Sequence, residues 1–229
     1  MANFIVTIDG PAASGKSTVA RLLAERLGAS FLDTGAMYRA VTLAAMQAGV
    51  DLSDEEQLLG VLQNNEFNFD IQNVKMVLRF NGVDITKQIR QPEVTANARY
   101  IASAAKVRKR LVAMQRQLAA GRDKVISEGR DQGTVAFPDA DVKFFLTADA
   151  VERTKRRQAE LQTKGSKAEL EQLQKAIEER DKSDQNRAVG PLKQASDAIV
   201  VDTTDLSIEE VVEKLLGCVK KRCLKKNRK

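Results

Sequence analysis

Residues 10–17 read GPAASGKS and come directly after the apolar run NFIVTID at residues 3–9. That run is short, contains β-branched residues and is bounded by glycine and proline, which favours a buried parallel strand. Residues 16–27 then place their apolar side chains at helical spacing, and Gly28 follows as a C-cap. A strand, a glycine-rich loop and a helix in this order begin an α/β fold.

The remaining chain continues to alternate strand and helix patterns. The other strand candidates are residues 29–33, 124–127, 142–147 and 198–202. The other predicted helices are residues 35–48, 54–62, 92–105, 106–120, 150–163, 167–182 and 207–220. This alternation predicts a parallel central sheet with helices on both faces and with ligands at the carboxyl ends of its strands.

One segment departs from that alternation. Between residues 66 and 89 apolar and polar residues alternate with period two, and Asn81-Gly82 stands in the middle as a tight turn. We therefore predict a small antiparallel β insert within the α/β fold.

The composition describes one soluble domain. The chain has 229 residues and 43% hydrophobic content, enough for a full core, and we expect residues 1–219 to form a single domain. No apolar run approaches the roughly 20 residues of a membrane span, and the GPAASGKS stretch begins at residue 10. We expect no membrane segment, no cleaved signal sequence and a cytoplasmic location. The absence of histidine excludes Ser-His and Cys-His nucleophile systems.

The net charge of +6 comes from the C-terminus. Seven cations and no acid lie in residues 220–229, and without them the balance is about −1. A tail of this composition is by default solvated and disordered. The two cysteines, Cys218 and Cys223, have a spacing that fits neither a zinc site nor a disulfide framework.

The GPAASGKS stretch fits the P-loop pattern G-x-x-x-x-G-K-[ST] at every fixed position. Its glycines let backbone amides surround phosphate groups, and the following helix adds partial positive charge. We expect Lys16 to reach the β- and γ-phosphates of ATP and Ser17 to hold Mg²⁺. The predicted ATP-binding residues are Gly10, Pro11, Ala12, Ala13, Ser14, Gly15, Lys16, Ser17 and Thr18.

A P-loop alone does not distinguish a kinase from a switch or a motor. The chain has no N-K-x-D guanine signature, but it carries many arginines, which suit contact with a second phosphate. The run Arg153, Lys155, Arg156 and Arg157 fits a solvated helix face equally well. The basic tail leaves open a nucleic-acid-dependent P-loop NTPase, although no extended basic stripe appears.

Three further motifs carry a family resemblance. LDTGAMYR at residues 32–39, EGRDQGTVAFPDA at residues 128–140 and RDKSDQNRAVGPL at residues 180–192 resemble the bacterial cytidylate kinase family. The resemblance extends from the P-loop to the last strand. It implies a three-layer P-loop NTPase fold with an NMP-binding region at residues 34–105, which holds the β insert, and a helical lid at residues 153–188.

The resemblance also implies the acceptor, CMP or dCMP. Arg39, Arg130 and Arg187 would grip its phosphate, and Thr34 would contact the phosphate or the base edge. Arg108 and Asp131 would face the cytosine ring, since a carboxylate suits the N4 amino donor and a guanidinium suits N3 or O2. The remaining predicted contacts, to the ribose hydroxyls, come from Arg180 and Asp184.

The expected chemistry is in-line phosphoryl transfer without a general base, because the CMP phosphate is mostly dianionic at neutral pH. The predicted catalytic residues are Lys16, Arg130, Arg157 and Arg187. Arg157 would stabilise the transition state from a lid that also includes residues 164–166. Glu128 would hold Mg²⁺ with Ser17, although a surface acid at a strand end fits that position equally well. We expect a monomer that needs no nucleic acid; another P-loop nucleotide or small-metabolite kinase is the alternative.

Overall fold

Five parallel strands form the larger sheet of the computed structural model, which describes residues 4–72, 74–163 and 169–226. In chain order the strands are β1 (Phe4–Asp9), β2 (Ser30–Asp33), β3 (Phe67–Gln72), β4 (Lys75–Phe80), β5 (Val83–Asp84), β6 (Lys124–Gly129), β7 (Val142–Thr147) and β8 (Ile199–Asp202). The larger sheet has the order β2-β6-β1-β7-β8. The predicted parallel sheet is confirmed.

The helices alternate with these strands. They are α1 (Lys16–Leu27), α2 (Thr34–Gln47), α3 (Glu55–Asn64), α4 (Pro92–Ser103), α5 (Ala105–Ala119), α6 (Ala150–Thr163), α7 (Leu170–Gln185) and α8 (Ile208–Lys226). A 3₁₀ turn spans Gln88–Arg90 and a π-helical turn spans Gln132–Ala136. The sequence pattern did not predict the π-helical turn, because five residues are too few to show a helical period.

Both faces of the sheet are buried under helices. On β2, Phe31 packs with the core that contains α1 and α8, whereas its neighbour Leu32 packs with the core that contains α2 and α5. Val125 and Ile126 on β6 divide between the two cores in the same way. Successive side chains of a strand point to opposite faces, so strands buried on both sides appear as continuous apolar runs.

The antiparallel insert is also confirmed. Strands β3, β4 and β5 form a separate sheet, and β3 pairs with β4 from Phe67 opposite Phe80 to Gln72 opposite Lys75. Asn81 and Gly82 have φ angles of 47° and 80°, the left-handed values that a two-residue hairpin turn requires.

The carboxyl ends of the central strands bring the P-loop and two of the further motifs together. Asp9 on β1 lies opposite Gly129 on β6, and Asp33 on β2 lies opposite Glu128 on β6. The parallel arrangement therefore places the ends of β1, β2 and β6 at one edge, where the P-loop begins.

The C-terminal helix corrects one expectation. Residues 220–226 continue α8 to Lys226 and are not a disordered tail. The apolar face extends far enough to explain this, since Val219 is buried and Cys223, one turn later, packs against the same core. Among the described residues, no helix is long and apolar enough to cross a membrane. The predicted lid joint at residues 164–166 lies outside the described residues.

Candidate active site

The P-loop lies between β1 and α1 as the motif predicts. A Cβ on Gly10 would stand 2.2 Å from the Leu146 carbonyl oxygen, so only glycine fits there. Gly15 caps α1 with a φ of 83°. Lys16 is buried, and its Nζ donates a hydrogen bond to the Pro11 carbonyl oxygen at 2.7 Å. Burial, followed by the charge of Arg130, lowers the pKa of Lys16 to about 7.

An ion pair between α6 and α7 holds one P-loop residue. Ala12 donates its N–H to Asp181 Oδ1 at 3.0 Å, and its carbonyl oxygen accepts from Arg153 at 3.1 Å. Arg153 and Asp181 are also paired with each other. Arg156 donates to the Thr203 carbonyl oxygen at 2.6 Å. Arg153 and Arg156, which belong to the arginine run of the predicted lid, therefore contact the P-loop and the segment after β8.

Ser17 and Glu128, the two predicted Mg²⁺ ligands, are hydrogen-bonded to each other. The Ser17 hydroxyl is at the exposed start of α1 and donates to Glu128 Oε1 at 2.9 Å. Glu128 Oε2 is buried and has no hydrogen-bond partner within the described residues. Burial, with the nearby charge of Asp33, raises the pKa of Glu128. A hydroxyl and a carboxylate with a free oxygen are the hard donors that Mg²⁺ prefers.

The buried carboxylate of Asp33 organises the side of the site next to α2. It accepts the Ala36 N–H at 2.8 Å as the N-cap of α2, and Arg39 and Arg90 donate to it at 3.5 and 2.9 Å. Burial opposes ionisation, but the charges of Arg39 and Arg90 prevail and lower the pKa of Asp33. Nearby, the Thr34 hydroxyl donates to the Glu128 carbonyl oxygen at 2.7 Å.

Asp184 pairs with two of the predicted arginines. Arg130 Nε donates to Asp184 Oδ2 at 2.7 Å, and Arg187 approaches Oδ1 at 3.7 Å. Burial opposes ionisation, but these two charges lower the pKa of Asp184. Arg187 also donates to the Gly190 carbonyl oxygen at 2.8 Å.

The positively charged side chains of the site lower one another's pKa values. Arg180 is exposed, and desolvation by neighbouring side chains together with the charges of Arg130, Arg39 and Arg157 lowers its pKa. Within the described residues Arg180 has no ion-pair partner, and Arg157 pairs with Glu160 at 2.6 Å near the surface. Arg157 is thus close to Arg180. A concentration of positive charge that lowers its own pKa values is suited to a polyanionic ligand.

Arg108 and Asp131 form a buried ion pair, with side chains 3% and 4% exposed. Arg108 also donates to the Ala102 carbonyl oxygen at 2.9 Å, and its guanidinium lies 5.3 Å from the centre of the Tyr38 ring. Gly190 covers the pair so closely that a Cβ would come within 2.1 Å of Arg108 and 2.3 Å of Asp131. The two side chains predicted to read the base therefore occupy one site.

Comparison with known proteins identifies the family. A family model described as cytidylate kinase matches residues 6–221. The chain belongs to the cytidylate kinase family. The cytidylate kinase of Shouchella clausii is 49% identical over 217 residues, covering 95% of this chain and 96% of that protein. The cytidylate kinase of Leuconostoc mesenteroides is 46% identical over 219 residues, covering 96% and 97% of the two chains. That of Bacillus thuringiensis is 46% identical over 214 residues, covering 93% and 95%.

The residues predicted for this cytidylate kinase family member form two groups according to their expected roles. The donor group contains the P-loop, Lys16, Ser17 and Glu128. The acceptor group contains Arg39, Arg108, Arg130, Asp131, Arg180, Asp184 and Arg187. The positive charges of Arg130 and Arg180 contribute to the lowered pKa of Lys16, so the two groups are adjacent. Their individual roles stay predictions.

Several polar residues of the site were not predicted from the sequence. Asp9 and Asp33 each end a central strand, which is the signal that could have identified them. Asp181 follows Arg180 and precedes Asp184 by one helical turn, but its spacing alone does not reveal its contact with the P-loop. Arg90 lies in the 3₁₀ turn after the insert and had no signal in the sequence.

Proposed function

We propose that the chain transfers the γ-phosphate of ATP to CMP or dCMP and yields ADP with CDP or dCDP. The observation that carries this proposal is the position of Arg130 and Asp131 directly after β6. Arg130 belongs to the cationic cluster around Lys16, whereas the next residue, Asp131, is paired with Arg108. Two consecutive side chains thus have different neighbours, which supports one contact to a phosphate and one to a base.

The acceptor phosphate would lie among Arg39, Arg130 and Arg187. Arg39 Nε and Arg187 Nε are buried and have no hydrogen-bond partner within the described part of the chain. Buried donors of this kind are normally satisfied by a ligand or by water. Bidentate guanidinium contacts would orient the phosphate oxygens toward the donor. Asp184 would hold Arg130 and Arg187 in place and, with Arg180, face the ribose.

Arg108 and Asp131 would select the base. Cytosine offers an amino donor at N4 and acceptors at N3 and O2, which match a carboxylate beside a guanidinium. Uracil would place its O4 acceptor against the Asp131 carboxylate and leave buried polar groups unpaired. The resulting selectivity favours CMP over UMP.

The donor side would act through positioning and charge. When bound, Mg²⁺ would neutralise charge on the β- and γ-phosphates of ATP. Ser17 and Glu128 are the residues suited to hold it. Lys16 would donate to the β- and γ-phosphate oxygens, and Arg157 would reach the transferred group from the lid. The acceptor phosphate needs no general base, because it is mostly dianionic at neutral pH.

We further propose a cytoplasmic monomer that acts without nucleic acid. Light scattering of the purified protein measures its oligomeric state. The function itself is tested by ADP release with Mg-ATP and each of CMP, dCMP, UMP and AMP. Turnover with CMP and dCMP supports the proposal, and turnover with AMP but not with CMP refutes it.

A further inference from the structure

Asp9 is the last residue of β1 and immediately precedes Gly10 of the P-loop. It is buried, and its two carboxylate oxygens accept hydrogen bonds from another part of the chain. Oδ1 accepts the Gln132 N–H and Oδ2 accepts the Gly133 N–H, both at 2.8 Å. The carboxylate therefore connects the start of the P-loop to the segment that follows Arg130 and Asp131.

These two N–H groups belong to the first residues of the π-helical turn. The first N–H groups of any helical turn have no partner inside the turn, so they need an outside acceptor. Asp9 supplies both acceptors from a neighbouring strand. Gly133 permits this close approach, since a Cβ there would lie 3.0 Å from Thr7 Oγ1 and 3.4 Å from Asp9 Oδ2.

The anchored peptides follow directly after Asp131. Asp131 has φ of −140° and ψ of 26°, and the fixed N–H groups of the next two residues hold that backbone orientation. We propose that Asp9 is a positioning residue that keeps Arg130 and Asp131 in register with the P-loop, so that the acceptor is aligned with the donor phosphate. This inference rests on the proposed function and assigns Asp9 no contact with substrate.

The ionisation of Asp9 supports a role beyond stability. Burial raises its pKa to about 6; the nearby Asp131 charge acts in the same direction, whereas the two backbone hydrogen bonds and Arg130 oppose it. Because this pKa is higher in the folded protein than the ordinary 3.8, the folded state loses stability as the pH rises from about 4 to 6. At neutral pH the ionised carboxylate is thus unfavourable for folding, although it is the best acceptor for two N–H groups.

The substitution Asp9→Asn tests the proposal. Asparagine keeps the shape and one acceptor oxygen, but its amino group faces the second N–H and one hydrogen bond is lost. We expect kcat/KM for CMP to fall at least tenfold and the preference for CMP over UMP to decrease. We also expect KM for ATP to change less than twofold and the melting temperature to stay at or above that of the wild type.

Ser127→Ala is the matched control. Ser127 Oγ donates to the Gln132 side-chain oxygen at 2.8 Å, so this change removes a buried contact to the same residue and leaves both backbone bonds intact. We expect Ser127→Ala to lower the melting temperature and to leave KM for CMP and the CMP:UMP preference unchanged. An equal change of that preference in both variants would overturn the proposal.

Two further outcomes would also overturn it. One is a variant Asp9→Asn with wild-type CMP kinetics. The other is a parallel rise of KM for ATP and for CMP with a lower melting temperature, which indicates a general structural role. If the wild type does not phosphorylate CMP, the proposed function fails and the role of Asp9 fails with it. If the wild type is active and Asp9→Asn is unaltered, only the role of Asp9 fails.

Discussion

Replacing Gly190 by alanine perturbs the base site without removing any polar group. The new Cβ would lie 2.1 Å from the Arg108 guanidinium and 2.3 Å from Asp131 Oδ2, far inside van der Waals contact. Arg108 and Asp131 are buried and paired, so relief of the overlap has to displace at least one of them. Gly190 also has a φ of +59°, where a residue with a Cβ is strained by about 1–2 kcal/mol.

The variant Gly28→Ala separates the effect of backbone strain from the effect of steric overlap with Arg108 and Asp131. Gly28 has a φ of +58°, and a Cβ there would meet no atom within 4 Å. Both variants are therefore expected to lose about 1–2 kcal/mol of unfolding free energy from backbone strain, and Gly190→Ala is expected to lose more because it also displaces a buried, paired charge. Only Gly190→Ala should weaken a charged hydrogen bond to the base, a loss of about 1.5–3 kcal/mol. That corresponds to a decrease of about ten- to one hundred-fold in kcat/KM for CMP.

The assay is ADP release with CMP varied at saturating Mg-ATP, and then with ATP varied at saturating CMP. Chemical denaturation of each variant measures the stability change. The reasoning is refuted if Gly190→Ala and Gly28→Ala lose stability equally and both keep wild-type kcat/KM for CMP. It is also refuted if the two variants show the same kinetic loss, since backbone strain would then explain it.

Three further predictions follow from the site. Asp131→Asn should reduce the preference for CMP over UMP about ten- to one hundred-fold, because an amide can also donate to O4 of uracil; an unaltered ratio in the ADP-release assay contradicts this. Since Lys16 has a pKa of about 7, it is mostly neutral at pH 8 and should take up a proton when the triphosphate binds, whereas below pH 7 it is already charged. Calorimetry in buffers of different ionisation enthalpy measures this uptake, and Lys16→Met should abolish it. Arg157→Met should lower kcat with little change in stability, whereas Arg156→Met should lower the melting temperature, because Arg156 donates to backbone carbonyl oxygens near β8; equal effects on kcat would contradict the distinction.

The alternation of apolar runs with helical spacing was enough to predict the fold. The central strands are short, and all except the edge strand β8 are mostly buried. Strands β1, β2, β7 and β8 each lead into a helix, so local pattern and tertiary position agree, and the Asn81-Gly82 turn marked the insert directly. The prediction of a disordered tail was wrong for residues 220–226, because it relied on the charge of the segment. The packing of Val219 and Cys223 against the core explains why α8 continues. The spacing of Val219 and Cys223, one helical turn apart, was the sequence signal for this continuation.

The site was predicted less evenly. The P-loop has a fixed spacing that specifies its backbone, so its residues could be identified individually. The arginine run of α6 could not be resolved in this way, because its three arginines within five residues point in different directions around a helix. Arg153 donates to Ala12, Arg156 donates to Thr203, and Arg157 lies near Arg180. Such contacts depend on tertiary neighbours that no local pattern reveals.

The central claim is that Arg130 and Asp131 join a phosphate-binding and a base-reading site beside a P-loop. The most direct measurement is the rate of ADP release by the wild-type protein with Mg-ATP and each of CMP, dCMP, UMP, AMP and shikimate at equal concentration. We predict the highest kcat/KM with CMP or dCMP, a lower value with UMP and no turnover with shikimate. Equal rates with AMP or shikimate and none with CMP would contradict the account.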